Sequence, residues 1–227
     1  MTILAAPAQY RTKQAMVYDS LRAAIIQGEL GAGSRLIIND LAEQLGVSPS
    51  PVREAIQQLH AESLVTLIPH VGAVVTSVSP AEVREIFALL EGLEVIGTRV
   101  AAERMTPPDE ARLRSILARM NVTIDDGDMV EWTALNRDFH LEVCRIAGMD
   151  LLIEFTAKVL DRWQRIRHAF LPNVPSSYIQ QTQVEHEGIV AAMVARDYPH
   201  LETVTREHNQ NALARYGAAL QPKNLSR

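Results

Sequence analysis

The spacing of apolar residues changes character along the chain. Val17, Leu21, Ala24 and Ile25 follow the i, i+4, i+7, i+8 rhythm of an amphipathic helix that ends at Gly28. Asn39 is placed to cap a short helix over "DLAEQLG", which stops at Gly46. A second apolar stripe, Val52, Ala55, Ile56 and Leu59, follows "VSPSP". There Ser48 or Ser50 is positioned as a helix cap, and Pro49 or Pro51 fits a first turn, where a missing N–H does little harm. Two helices separated by so short a turn predict a helix-turn-helix. The stretch "LVTLIPHVGAVVTSV" then reads as strand, turn over Pro69–Gly72 and strand, a small wing.

Beyond residue 79 the strand signal disappears. Helical patterns run over 80–105, 107–122, 128–147, 150–170, 176–196 and 198–219, which predicts an antiparallel bundle with short connections. "SPAE" starts it: Ser79 can cap, Pro80 fits the first helical position, and Glu82 can reach back. "TPPDE" repeats the device with Thr106, Pro107 and Asp109. The expected fold is mainly α. It comprises a flexible arm over 1–12, a winged helix-turn-helix over 13–78, an all-helical domain over 79–220 and a tail over 221–227.

Composition narrows the functions open to such a chain. With 227 residues and 47% hydrophobic residues there is enough apolar surface for packed cores. A single cysteine excludes an internal disulfide, and no apolar run approaches the roughly 18 residues of a bilayer span. The start "MTILAAPAQY" lacks the basic segment of a secretory signal, so the cytoplasm is the expected compartment, with no membrane partner. The net charge of −5 excludes a generally basic coat, and residues 1–79 hold five Lys/Arg against six Asp/Glu. DNA binding therefore has to rest on placed residues. The outward face of the second helix carries Ser50, Arg53, Glu54, Gln57 and Gln58, with Ser50, Arg53 and Gln57 at offsets of zero, three and seven. One arginine set bidentate on guanine gives about 1–3 kcal/mol of discrimination, and Gln suits adenine. Most of the affinity must come from phosphate contacts by helix N-termini, His70, Arg11 and Lys13, doubled by a second subunit.

The helical region carries a second set of chemistry-bearing residues. Asn136 and His140 are four apart and share a helix face, while His186 and His208 lie on two further predicted helices. Three histidines and an oxygen donor suit Zn²⁺, Ni²⁺ or Mn²⁺ with positions left open. Scattered histidines are more often solvated or hydrogen-bonded, so spacing alone leaves both readings standing. A metal-dependent enzyme is a further reading, but no carboxylate base is placed beside these residues in the sequence.

The segment from "VYDSLRAAIIQGELGAGSRL" through "LAEQLGVSPSPVREAIQQLHAESLV" to "VGAVV" resembles the winged helix-turn-helix of the GntR family of bacterial transcription regulators. The resemblance implies that Arg53 and its neighbours Ser48, Ser50 and Gln57 contact a DNA operator. It also implies that the wing near His70 and Gly72 approaches the minor groove. Pro49 and Val71 stand where family members often carry basic residues, and Asn39 where some carry arginine. "NRDFHLEV", "EHEGIVAAMVARD" and "REH" resemble the FCD ligand-binding domain of the FadR subgroup. This implies a divalent metal on Asn136, His140, His186 and His208, a small organic acid as effector, and a homodimer reading a palindromic operator. A regulator responding to metal alone is the alternative. Asn136 replaces the usual aspartate, and Leu90 stands where many relatives place an inward arginine. Recognition of the acid then falls to the metal and to Arg162, Arg165 or Arg167. Cys144, one turn beyond His140, is expected to be a small buried thiol.

Overall fold

The computed structural model describes the backbone of residues 12–69, 71–77, 79–170 and 176–219, and their side chains except at 165, 168–170, 176 and 217–219. The chain forms two compact units, one ending at Val78 and the other beginning at Ser79.

The first unit contains α1 (Lys13–Ile26), β1 (Arg35–Leu36), α2 (Ile38–Gln44), α3 (Pro49–Ala61), β2 (Val65–Ile68) and β3 (Gly72–Val75). Thr12 starts α1, its hydroxyl accepting from the Ala15 N–H at 3.1 Å. Val17, Leu21 and Ile25 of α1 join Val52, Ala55, Ile56 and Leu59 of α3 in one core. The Tyr18 hydroxyl fastens the same two elements by donating to Glu62 at 2.5 Å. Burial and the adjacent Glu62 carboxylate push that phenol up to about 12. The strands form an antiparallel sheet in the order β1-β3-β2, with Val65 opposite Val75 and Ile68 opposite Gly72.

The caps differ from expectation. Ile37, not Asn39, occupies the N-cap position of α2 and makes no side-chain cap hydrogen bond; Asn39 lies exposed inside the first turn. The reason is β1, unexpected from so short an apolar signal, whose pairing with β3 delivers the chain to α2 in extended form. Ser48 occupies the N-cap position of α3 without a side-chain bond, and Pro49 fills the first helical position. The Ser50 hydroxyl turns instead to Glu54, at 3.2 Å.

The second unit consists of α4 (Pro80–Arg104), α5 (Pro107–Asp126), α6 (Met129–Ala147), α7 (Asp150–Phe170), α8 (Ser176–Ala195) and α9 (Tyr198–Ala219). Helix α5 continues four residues past the expected stop because Thr123 still faces the core, and it ends at Gly127 in the left-handed region. At its start the Asp109 carboxylate accepts from the Thr106 N–H at 2.8 Å and from the Thr106 hydroxyl at 2.6 Å. Ser79 caps α4 by accepting from the Glu82 N–H at 3.1 Å.

Helices α4 and α6 form the centre of this unit. Helix α4 packs against α6, α7, α8 and α9. Helix α6 buries Trp132, Leu135, Asn136, Phe139, His140, Val143, Cys144 and Ala147, so it presents polar as well as apolar side chains inward. Gly97 permits the close approach: a Cβ there would lie 3.3 Å from Leu152 Cδ2 and 3.8 Å from Cys144 Sγ. Among the described residues no helix is long and apolar enough to cross a membrane.

Helix α6 ends at Gly148, with φ +62, where Arg104 Nη1 donates to the Ala147 carbonyl at 2.6 Å. A Cβ at Gly148 would lie 3.0 Å from that Nη1. Gly148→Ala is therefore expected to destabilise the protein by about 1–2 kcal/mol, the penalty of a left-handed L-residue, in urea melts. Gly188→Ala, in a helix with nothing within 4 Å of the added carbon, is expected to be neutral or to stabilise by up to about 1 kcal/mol.

Candidate metal centre and nucleic-acid interface

In the first unit, α3 presents Ser50, Arg53 and Gln57 to solvent. Two of their expected companions are engaged within the protein: Gln58 accepts from Gln14 at 2.9 Å, and Glu54 takes the Ser50 hydroxyl. Arg53 and Gln57 border a groove whose other wall is Leu67, Ile68, Pro69 and Gly72 of the wing. Gly72 has φ +103, which lets the chain reverse into β3. Arg35 braces that turn, its Nη2 donating to the Val71 carbonyl at 2.8 Å. Asn39 and Ser48 are exposed; His70 lies outside the described residues.

In the second unit, His140 of α6, His186 of α8 and His208 of α9 meet. One nitrogen from each ring lies within 4.8 Å of the other two. The ring centroids are 5.2 Å apart for His140–His186, 4.7 Å for His186–His208 and 5.6 Å for His140–His208. Asn136 is buried one turn before His140 and lines the same cavity as His140 and His208. The fourfold spacing on α6 brings Asn136 and His140 to one face, and packing of α8 and α9 supplies the other two rings.

Two carboxylates orient this cluster. Glu94 of α4 lies 2.9 Å from His140 Nδ1 and accepts from Asn209 Nδ2 at 2.7 Å. Glu185 of α8 lies 2.9 Å from His208 Nδ1 and is also paired with Arg215. An ionised carboxylate only accepts, so each of these Nδ1 atoms carries its hydrogen, which leaves Nε2 as the nitrogen of each ring that can serve as a ligand atom. Burial raises the Glu94 carboxyl, but His140, His208 and Asn209 together outweigh it and hold it below the ordinary range. Glu185 shows the same balance, with His208 and Arg215 overcoming burial.

His186 has no such partner. It is 0% exposed, and neither ring nitrogen has a hydrogen bond among the described residues. Burial, then the neighbouring His208, His140, Arg167 and Arg215, depress its pKa well below the usual imidazole value, so it is neutral at pH 7. A neutral imidazole with an unshared lone pair, facing two others whose Nδ1 atoms are fixed, is the donor chemistry that a divalent ion requires. The residues present fit such an ion.

Contrary to the expectation from sequence that no carboxylate base is placed beside these histidines, Glu94 and Glu185 both stand beside them. Glu94 left a signal, being the charged member of the apolar stripe Val83, Ile86, Phe87, Leu90 and Ala101. Glu185 left none. Both carboxylates are committed to imidazole, amide or guanidinium partners, so neither is a free base for hydrolytic chemistry.

Of the three expected arginines, only Arg167 is both described and buried, and it lines the cavity. Arg162 is exposed, and the Arg165 side chain lies outside the described residues. Leu90 is buried at the cavity wall. Cys144 is buried, its thiol 3.5 Å from the Thr156 hydroxyl and pushed up chiefly by burial.

Comparison with known proteins accounts for both units. Residues 13–75 match the profile of the bacterial regulatory proteins of the gntR family, and residues 85–211 match the FCD domain. The chain belongs to the GntR family. It is a transcription regulator in which the family's DNA-binding domain precedes an FCD domain. It is 29% identical over 181 residues to the transcriptional regulator McbR of Escherichia coli K12, covering 80% of this chain and 82% of McbR. It is 26% identical over 197 residues to the transcriptional repressor GlaR of the same strain, covering 84% of this chain and 90% of GlaR. The solved structure of E. coli McbR/YncC superposes with a TM-score of 0.76 at 27% identity, covering 89% of this chain and 96% of that one. The relatives and the fold are those of transcription regulators and not of enzymes.

The buried neutral state of His186 sets a pH dependence. An unfolded imidazole takes up a proton near 6.5, whereas native His186 does so only well below that value. The contribution of neutral His186 to the stability of the metal-free protein is thus fully present above this pH and is lost as pH falls below it, with a limiting slope of about 1.4 kcal/mol per pH unit. Urea melts of metal-free protein between pH 7.5 and 5 are expected to show that decline, and His186→Gln is expected to flatten it.

Proposed function

We propose that this regulator controls transcription as a homodimer that reads a palindromic operator with two α3 helices, its operator affinity being set by a divalent ion and a small organic acid in the FCD domain. Arg53 reads a base edge, Ser50 and Gln57 extend the reading face, and Asn39, Ser48 and the wing at His70 and Gly72 contact the backbone or minor groove. The ion, Zn²⁺, Ni²⁺ or Mn²⁺, is held by His140, His186, His208 and the Asn136 carbonyl oxygen. When bound it supplies positive charge and open positions for an anionic donor.

The observation that carries the metal reading is His186, fully buried, with neither nitrogen partnered among the described residues, beside two imidazoles aligned by carboxylates. Support for the dimer comes from two adjoining helices, α4 with exposed Leu89 and Ile96, and α7 with exposed Leu151 and Phe155. Such apolar residues on neighbouring helices suit burial against a second copy, and pairing two weak half-site readers raises avidity without new contacts. The effector acts by binding the two arrangements of the dimer with different affinity.

Fluorescence anisotropy with the regulator's own operator tests the DNA half of this reading. Arg53→Ala is expected to weaken binding about tenfold to a hundredfold, and unchanged binding would remove α3 from the interface. Calorimetric zinc titration tests the other half. The wild-type chain is expected to bind one ion per protomer and His186→Ala to lose most of that affinity. Equal affinity in the two proteins would overturn the site. A full operator response to zinc without any small carboxylate would select the alternative of a sensor for metal alone.

A further inference from the structure

The wall of the cavity beside the imidazoles carries two buried donors that no described residue uses. Trp132 of α6 is 2% exposed and Arg167 of α7 is 3% exposed. The indole Nε1–H and the guanidinium Nε–H each lack a hydrogen-bond partner among the described residues. They are neighbours, with the guanidinium carbon 4.1 Å from the centre of the Trp132 ring. Arg167 is held by this stacking and by the Tyr216 hydroxyl, and no carboxylate among the described residues pairs with it. Arg215, the other described guanidinium lining the cavity, is already committed to Glu185 and Thr182. A buried guanidinium stays charged, and a buried charge is stable only with an opposite charge or full hydrogen bonding. The missing partner is an acceptor carrying negative charge.

The lining also includes polar residues such as Thr182, Asn209 and Tyr216, but one wall of the cavity is apolar and limits what that anion is attached to. Phe87, Leu90, Leu160 and Trp163 offer no hydrogen-bonding groups except the single indole N–H of Trp163. Phe87 meets Trp163 edge-on at 4.7 Å, and Trp163 meets Tyr216 edge-on at 4.3 Å, so the wall is a run of aromatic rings. A second carboxylate placed against these residues would be desolvated with little to replace its water. A planar apolar ring there would gain both area and edge-to-face contacts.

We propose that Arg167 and Trp132 form an anion-holding subsite separate from the imidazole cluster, and that the facing aromatic wall selects an aryl carboxylate over di- and tricarboxylates. This rests on reading the FCD cavity as the effector site. It names the class of acid taken there and the residues that choose it. Arg167 supplies the charged donor; Trp132 supplies a second donor and the stacking surface that fixes the guanidinium plane.

The test is calorimetric titration of full-length, zinc-loaded protein with phenylacetate, succinate and citrate. Phenylacetate is expected to bind at least about tenfold more tightly than either polycarboxylate. Arg167→Gln is expected to weaken phenylacetate about tenfold to a hundredfold, and Trp132→Phe, which keeps an aromatic ring, about tenfold. Both variants are expected to keep wild-type zinc stoichiometry and helical circular dichroism; should the glutamine variant not fold, Arg167→Met, which keeps the apolar stem without the charge, takes its place. Unaltered phenylacetate affinity in the Arg167 variants would overturn the subsite, and succinate or citrate binding as tightly as phenylacetate would overturn aryl selection. Zinc binding without uptake of any of the three acids would sink this proposal and leave the metal site standing. Failure to bind zinc would sink the metal site instead, and Arg167-dependent phenylacetate binding to metal-free protein would still support the subsite.

Discussion

The FCD domain is built around an imidazole, His186, that no described residue satisfies. Burying a polar ring without a partner is unfavourable, and doing so beside two other histidines and two arginines adds electrostatic pressure against its protonation. Glu94 and Glu185 turn that tension into order. By accepting from Nδ1 of His140 and of His208 they fix the orientation of two rings beside the third. Helices α4, α6, α8 and α9 are therefore joined by polar links at the same point where their apolar faces pack, and Asn209 extends the chain of contacts through Glu94.

That arrangement gives α4 a double role. It packs against four other helices of its unit, and its Glu94 carboxylate sets the orientation of His140. It is also the element into which the polypeptide runs on leaving the DNA-binding unit, with Ser79 capping its first turn. A ligand that changes the Glu94–His140 contact acts on the helix that begins where the winged domain ends. Under the proposed function, linkage makes the relation reciprocal: whatever an acid in the FCD domain does to operator affinity, the operator does to the affinity for that acid.

Much of this was legible in the sequence because the fold depends on local rules. The stripe of Val52, Ala55, Ile56 and Leu59 predicts α3, and the capping residues around Pro80 and Pro107 predict the starts of α4 and α5, because these signals lie within one or two turns. The short strand β1 was not legible: two residues carry no period, and only pairing with β3 makes them a strand. That long-range pairing also displaced the expected cap from Asn39 to Ile37. In the cavity, the i, i+4 relation of Asn136 and His140 was readable, but the meeting of three rings from three helices is tertiary. So is the choice of Arg167 over Arg162, which depends on which side of α7 faces α6.

The central claim concerns the protonation and donor state of three rings, and long-range proton–nitrogen NMR correlation of the histidine side chains reads it directly. In metal-free protein at pH 7 the account predicts Nδ1–H tautomers for His140 and His208 and a neutral His186. One equivalent of zinc should then shift ring nitrogens of all three. A charged His186 in the metal-free protein, or zinc that leaves the three rings unmoved, would contradict it.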